Sequence, residues 1–549
     1  HPYQNWKHRN ASTQSPSFSP FKENKVSLIM RISIPLLCLG IAYSFSCSQQ
    51  ESPKLNVVLI SLDSLCKERL GAYGHRPQYA PEIPVSPNID DFAAEALLFD
   101  NAWSTTSWTL PAHMSLMSGL SDRNHEVELD YFALDPKRRT ISQNFQDAGY
   151  QTAGFFSGPY LDGKFGFARG FDIWRSAMMT PSELAGQIRS WTKRRALAGK
   201  PAPTEEEIKG IRDRVSHWDV TSPKVNQGAL DFLASRDSEV PFFLTLHYFD
   251  AHYDYLPDTL EKGLGARFDP DYRGNFEGAN WYFNPAVREQ TPPYGQKISE
   301  RDLGHILALY DAEIHWVDRH IGTILQALKD QGLWETTIVC IVADHGDEFF
   351  EHGGIGHRST LFPELTAIPL LIHIPNQLKG RRFSELVRIY DIGPTLLDYA
   401  GVPPLKEAEG LSLRPVLEGN EKFNRSILQR VPGGPDVRDG WRNEEFSVQR
   451  ILEIDVPLSQ KNRQPSFRQR FTQNGQPMIW VFDCKNDPTE KAPLSRNDPR
   501  WQKAMDAFQS SFLLSEKHHR SLPSSAVSEK LTPKRSAEEE SMMEQLGYG

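Results

Sequence analysis

The stretch "LNVVLISLD", residues 55–63, decides the fold. Its apolar positions follow one another almost without alternation, and the run ends on an aspartate. A strand with one wet face alternates polar and apolar residues, whereas a strand covered on both faces does not. The stretch therefore reads as an inner strand of a sheet with helices on either side. Working outward, "YQTAGFF" (150–156), "VPFFLTLHY" (240–248), "TTIVCIVAD" (336–344) and "IPLLIHIP" (368–375) share this character. Amphipathic segments lie between them. "SPNIDDFAAEALLF" (86–99) predicts a helix with Ser86 as cap and Pro87 in its first turn, and residues 304–332 predict a long one. Strand followed by helix, repeated, predicts an α/β fold: a central, mostly parallel sheet flanked by helices.

The chain has 549 residues, room for one large domain and a smaller one. Residues 54–420 read as the catalytic domain, and 421–514, where strand-like pieces such as "QPMIWVFDCKNDP" take over, as a smaller C-terminal α+β subdomain. Residues 515–549 read as a polar tail, 177–239 as a peripheral charged insertion, and 263–300 as a long loop near the substrate mouth. At the other end, residues 1–29 are polar and irregular and read as an upstream, non-native segment. Met30 and Arg31 then open a short apolar run, "ISIPLLCLGIAY", and residues 30–50 read as a secretory signal. "SFSCSQQES" around Cys47 has the look of a lipoprotein cleavage site. The expectation is export to the periplasm or cell surface, with membrane attachment through a lipid on Cys47 as an option. Beyond this leader only Cys66, Cys340 and Cys484 remain, too few and too scattered for a disulfide framework or a zinc finger, so they read as buried fillers. The formal charge of −9, with short dispersed basic clusters, gives no nucleic-acid footprint.

Two of the inner strands end on acids, Asp63 and Asp344, and His345 follows the second. Ligands of an open parallel sheet bind at the carboxyl ends of its strands. Two carboxylates gathered there repel unless a cation lies between them, and a set of Asp, Asp and His suits a divalent metal. The stretch "WSTTSWTLPAHMSLMSG" (103–119) supplies a hydroxyl, Thr109, at a helix start whose N–H groups favour an anion. A metal-held Thr109 is a candidate nucleophile for a tetrahedral phosphorus or sulfur centre. The bland alternatives are helix caps at Thr109, Asp63 and Asp344, and a core role for His113. Asp311 and His315, four apart on a helix, read as a solvated or local pair, and His352 as a loop residue.

The blocks "LISLDSLCKERLGAYG", residues 86–119, "HYFDAHYDYLP", "ADHGDEFFEHGGIGH", "YDIGPTLLDYAGVP" and "VFDCKNDPTE" resemble, in order, those of the sulfatase family within the alkaline phosphatase superfamily. The resemblance spans about residues 55–490 and implies an alkaline-phosphatase-like fold and hydrolysis of sulfate or phosphate esters. Sulfatases that use formylglycine carry Cys-x-Pro-x-Arg or Ser-x-Pro-x-Arg. Here Thr109, Pro111 and His113 stand at those positions, and Ser64 stands where a second Asp is usual. These departures resemble the nucleotide pyrophosphatase/phosphodiesterase and phosphoethanolamine-transferase branches, which use Thr and usually zinc. The resemblance implies metal binding by Asp63, Thr109, Asp344 and His345, with His252 and His357, and Asp250 as an option, at a second ion or the leaving group. His113 would orient the transferred group. One or two divalent ions are expected, zinc or manganese first, calcium or magnesium also open. The expected substrate is a small-molecule or glycan ester. A transferase and a catalytically inactive binding protein are the rival readings, and the sequence leaves oligomeric state open.

Overall fold

The computed structural model describes residues 54–204, 219–274, 276, 278, 298–376, 379–420, 422–433, 436–453, 472–473, 476–477 and 479–524. The expected leader, Cys47 and most of the 263–300 loop lie outside the described residues.

The central sheet has eight strands: β1 (Asn56–Leu62), β2 (Leu97–Phe99), β3 (Gln151–Phe156), β4 (Ile173–Ser176), β5 (Phe242–Tyr248), β6 (Thr337–Ala343), β7 (Leu370–His373) and β8 (Arg381–Phe383). Their spatial order is β8-β2-β7-β6-β1-β5-β3-β4. Only β7 runs against the others, so the sheet is mostly parallel, as the unbroken apolar runs require. Val57 to Ile60 of β1 and Ile338 to Ala343 of β6 have no exposed surface. Register places Leu62 beside Tyr248 on one side and Ala343 on the other. The residues that come next, Asp63, Phe249 and Asp344, therefore emerge together at the carboxyl edge.

Helices cover both faces. Those that matter for the site are α1 (Pro87–Glu95), α2 (Thr109–Ser118), α3 (Ser222–Ser235), α4 (Glu300–Asp330) and α5 (Ile389–Tyr399). Ser86 precedes α1 as expected, but its hydroxyl donates to Asp90 and accepts from the Gly71 N–H rather than capping. The expected helix over 86–99 is shorter: it stops at Glu95, and "LLF" becomes β2. The apolar run was ambiguous, and sheet pairing with β7 decided it. Every residue of α2 is buried. It ends at Gly119, whose φ of 68° is left-handed and where a Cβ would come within 2.9 Å of Ala408 Cβ.

The expected peripheral insertion at 177–239 is narrower than its charge suggested. α3 buries Val225, Ala229, Phe232 and Leu233 and is a crossover helix of the core. A second sheet, β9 (Ile427–Gly433), β10 (Asp436–Arg442), β11 (Phe446–Glu453) and β12 (Ile479–Asp483), is antiparallel and carries α6 (Pro499–His519). Trp441, Phe446, Val448, Val481, Ala504 and Phe508 form its own core. α6 runs through the boundary expected at 514 and buries Ser515, so the polar tail cannot begin there. Cys66 and Cys340 are buried as expected, while Cys484 is half-buried and accepts a hydrogen bond from Arg442. Among the described residues no helix is long and apolar enough to cross a membrane.

Candidate active site

Period-two geometry sets Ser61 and Asp63 on one face of β1, and register sets His247 of β5 beside Ser61. α2 lies over that face. Thr109, its first residue, brings its hydroxyl to 3.5 and 3.4 Å from the two Asp63 oxygens and 3.3 Å from His345 Nε2. Asp63, Asp344 and His345 each offer a ligand atom within 4.8 Å of the others, and all are buried. Among the described residues this is the one such group of three. The N–H groups of Thr109 and Leu110 have no acceptor within the helix, as at any helix start.

Local hydrogen bonds orient each of these three side chains. His345 donates its Nδ1–H to Gly346 O at 2.8 Å, which leaves the lone pair on Nε2, 3.4 Å from Asp344 Oδ2. Burial and the neighbouring His357 hold its pKa down at about 4, so the ring is neutral at neutral pH. Asp344 Oδ1 accepts the N–H groups of Ser64 and His345 at 3.1 and 2.8 Å, while Oδ2 is buried without a hydrogen-bond partner. Burial would push the Asp63 carboxyl up, but His247, with His252 and His345 close by, holds it well below the usual range. Burial and the Asp63 charge push Asp344 the other way, well above it. Without a cation the pair thus favours sharing one proton; with one, both carboxylates can ionise. An orphaned carboxylate oxygen, a second carboxylate, a neutral imidazole lone pair and a hydroxyl fit a divalent cation.

Ser64, the next residue after Asp63, plays a separate part. Its φ of 55° lies in the left-handed region, and its hydroxyl donates to Asp63 Oδ1 at 2.9 Å. Its carbonyl accepts from Tyr310 of α4 at 2.6 Å, and Tyr310 also receives the Cys66 N–H. The residue orients Asp63 and turns the chain away from the site. Backbone strain at such a position belongs with a functional edge.

His113 is corrected. Both its nitrogens are committed beneath the site: Nδ1–H donates to Thr109 O at 2.9 Å, and Nε2 accepts from the Ser61 hydroxyl at 2.7 Å. Burial and His247 hold its pKa at about 3. It braces the first turn of α2, with Nδ1 also 3.5 Å from Asp344 Oδ2. Asp250 is also corrected. Its carboxylate accepts from the Thr221 N–H and hydroxyl, the Ser222 N–H and the Trp316 indole, so it anchors the start of α3 and has no oxygen left for an ion.

His357 fixes Nδ1–H on Asp347 at 2.9 Å, and Asp347 in turn accepts from the Tyr255 hydroxyl. His357 Nε2 is buried without a hydrogen-bond partner, and burial holds the ring's pKa at about 3. His252 stacks on Phe249 at 4.3 Å, with its ring centroid 4.9 Å from that of His357. These two histidines line one wall, but no carboxylate joins them in a second group of three among the described residues. Asp311 pairs with Arg69 and His75, while His315 bonds Pro84 O, so that helical pair is structural. His352 bonds Glu364 and Glu490 O as a loop residue.

Sequence reasoning missed His247. Its Nε2 lies 3.4 Å from Asp63 Oδ2, and the residue has no exposed surface. The signal was present: an imidazole near the carboxyl end of a strand otherwise apolar enough to be covered on both faces.

The family model described as Sulfatase matches residues 55–402, more than half of the chain. The chain is 26% identical over 423 residues to an arylsulfatase of Clostridium perfringens, covering 68% of this chain and 81% of that protein. It is 24% identical over 472 residues to an N-acetylglucosamine-6-O-sulfatase of Bacteroides thetaiotaomicron, covering 74% and 78%. In fold it is similar to the phosphonate monoester hydrolase of Agrobacterium radiobacter, with a TM-score of 0.60 at 20% identity, covering 85% of this chain and 96% of that one. A structure of a protein with its substrate, D-glucosamine-2-N,6-O-disulfate, gives the same TM-score, 0.60, at 18% identity over 85% and 98%.

Proposed function

The chain belongs to the sulfatase family, and from that premise we propose that it is a metal-dependent hydrolase of sulfate esters that uses Thr109 as nucleophile. One observation carries the reading: the Thr109 hydroxyl stands 3.3 to 3.5 Å from His345 and Asp63, at the start of a buried helix. Asp63, Asp344 and His345 would hold the cation, and Thr109 would share it. A divalent cation bound there supplies a lowered hydroxyl pKa and positive charge opposite the non-bridging oxygens. Thr109 Oγ1 bonds to the tetrahedral sulfur as the bond to the ester oxygen breaks, and water later cleaves the threonine ester. The N–H groups at the start of α2 face the oxygens of the group in transit. His357, oriented by Asp347 and carrying its lone pair on Nε2, would accept a hydrogen bond from that water and orient it. His252 lines the leaving-group side. We assign one ion to the site, zinc or manganese by donor type. Export through the N-terminal segment is part of the same proposal, and cell fractionation tests it.

A second reading is favoured by one residue. Thr109 lacks the oxidisable side chain of formylglycine enzymes, and an unmodified alkoxide suits phosphorus. Several neighbours are sulfatases, yet phosphonate monoester hydrolases share the fold. The deciding experiment assays the metal-loaded protein on nitrophenyl sulfate, phosphate monoester and phosphate diester side by side. Sulfate turnover above the other two supports the first reading; diester turnover alone replaces it with the second. No turnover of any of them, with zinc or manganese bound, would remove both.

A further inference from the structure

Which nitrogen of His357 carries the proton is set by its neighbours. Nδ1 lies 2.9 Å from Asp347 Oδ1 and 3.5 Å from the Ser64 hydroxyl, whose own proton goes to Asp63. Both neighbours of Nδ1 therefore accept, and the proton sits on Nδ1. Nε2 keeps the lone pair. It is buried without a hydrogen-bond partner, in a ring whose centroid lies 4.5 Å from that of His345.

Asp347 can fix that ring only if its carboxylate is itself held. Its backbone is occupied elsewhere: the N–H donates to Cys66 Sγ at 3.1 Å, and the carbonyl accepts from the same sulfur at 3.2 Å. Of the carboxylate oxygens, Oδ1 accepts from His357 and Oδ2 from the Tyr255 hydroxyl. Tyr255 has no exposed surface, and its ring packs against Tyr310 and Phe349 at 5.0 and 5.6 Å. The N–H of the next residue, Leu256, donates to Glu313 at 2.5 Å and pins the segment to α4. A ring that only filled this space would need no hydroxyl, since burying one costs free energy unless it is bonded. The hydroxyl thus joins the loop after β5 to the loop after β6, through Asp347, at the orientation of one imidazole.

We propose that Tyr255 is a positioning residue: through Asp347 it fixes the tautomer of His357, and so the placement of the water that cleaves the threonine ester. The kinetic half of this rests on Thr109 as the reacting oxygen; the tautomer half does not. The first test is nitrogen-15 spectroscopy of the zinc-loaded full chain labelled at histidine, with His357 assigned by the signal lost in His357→Gln. The wild type should show a single form protonated on Nδ1. Tyr255→Phe keeps the ring packing and should give a mixture of tautomers. Tyr310→Phe removes a neighbouring hydroxyl that bonds Ser64 O instead, and should leave His357 unchanged. A wild-type His357 protonated on Nε2, an unaltered tautomer in Tyr255→Phe, or the same mixture in Tyr310→Phe overturns the proposal. The second test is steady-state and burst kinetics on the nitrophenyl ester turned over best. Slower cleavage of the threonine ester, with its formation untouched, lowers kcat and KM together and leaves kcat/KM unchanged. Tyr255→Phe should show this pattern at about tenfold, with a burst of nitrophenol, as losses behind a site residue do. A fall in kcat/KM at constant KM, or no change, overturns the kinetic half. Failure of the wild type to turn over any ester would instead strike the reading of Thr109, while the spectra still decide what Tyr255 holds.

Discussion

Thr109 is one hydroxyl among many, and what singles it out is the company at 3.3 to 3.5 Å. Its replacement by alanine removes the oxygen proposed to attack but no buried polar bond that the helix needs. Thr109→Ala should therefore melt within a few degrees of the wild type while turnover falls by about a thousandfold or more, read in a steady-state assay beside a thermal scan. His247 acts through Asp63. Its replacement by alanine should weaken metal affinity by about 10- to 100-fold in a competitive chelator titration, as losses behind a metal ligand do. Acid should weaken it too. The folded pKa of Asp344 is raised by burial and by Asp63, so the metal-free protein holds that proton more tightly than an unfolded chain does. Metal must displace it, and the proton wins as pH falls. Zinc affinity should drop by up to about tenfold per pH unit on the acid side, and an affinity flat with pH would contradict the assigned ligand.

At the scale of elements, the site is built from the ends of β1 and β6 and the start of α2, each placed by hydrogen bonds that have nothing to do with catalysis. The loop after β1 is strapped by Tyr310 of α4, and α3 is anchored by Asp250. Asp250→Asn keeps the volume but loses acceptor capacity for the first N–H groups of α3. It should cost about 1–3 kcal/mol in denaturant unfolding with metal affinity unchanged, whereas an ion-binding Asp250 would lose metal instead.

For the whole molecule, the second sheet grips the segment that leads into α2. The Arg430 N–H donates to Thr105 O at 2.8 Å, the Gln429 amide donates to Ser104 O at 2.8 Å, and Arg442 stacks on Trp103 at 3.8 Å. The loop that carries Thr109 is thus held between two sheets, and a cation would tie three chain segments far apart in sequence. Zinc at about a hundred times its Kd should add about 2.7 kcal/mol of stability, seen as a raised melting temperature that chelator reverses.

The layered α/β architecture is legible in the residues alone, because a strand covered on both faces must be apolar along its whole length and one with a wet face need not be. So are the places of Asp63, Thr109, Asp344 and His345, since strand ends and helix starts are marked locally by acids, Pro111 and the change of periodicity. Which neighbours line the candidate site and which support it is set by contacts between distant segments. His113, His247, His357 and Asp250 are all polar residues beside the same edge. Whether each meets the reacting space or a backbone group depends on strand register and on which ring nitrogen is already bonded. Those are contacts between segments up to hundreds of residues apart, and no local pattern encodes them.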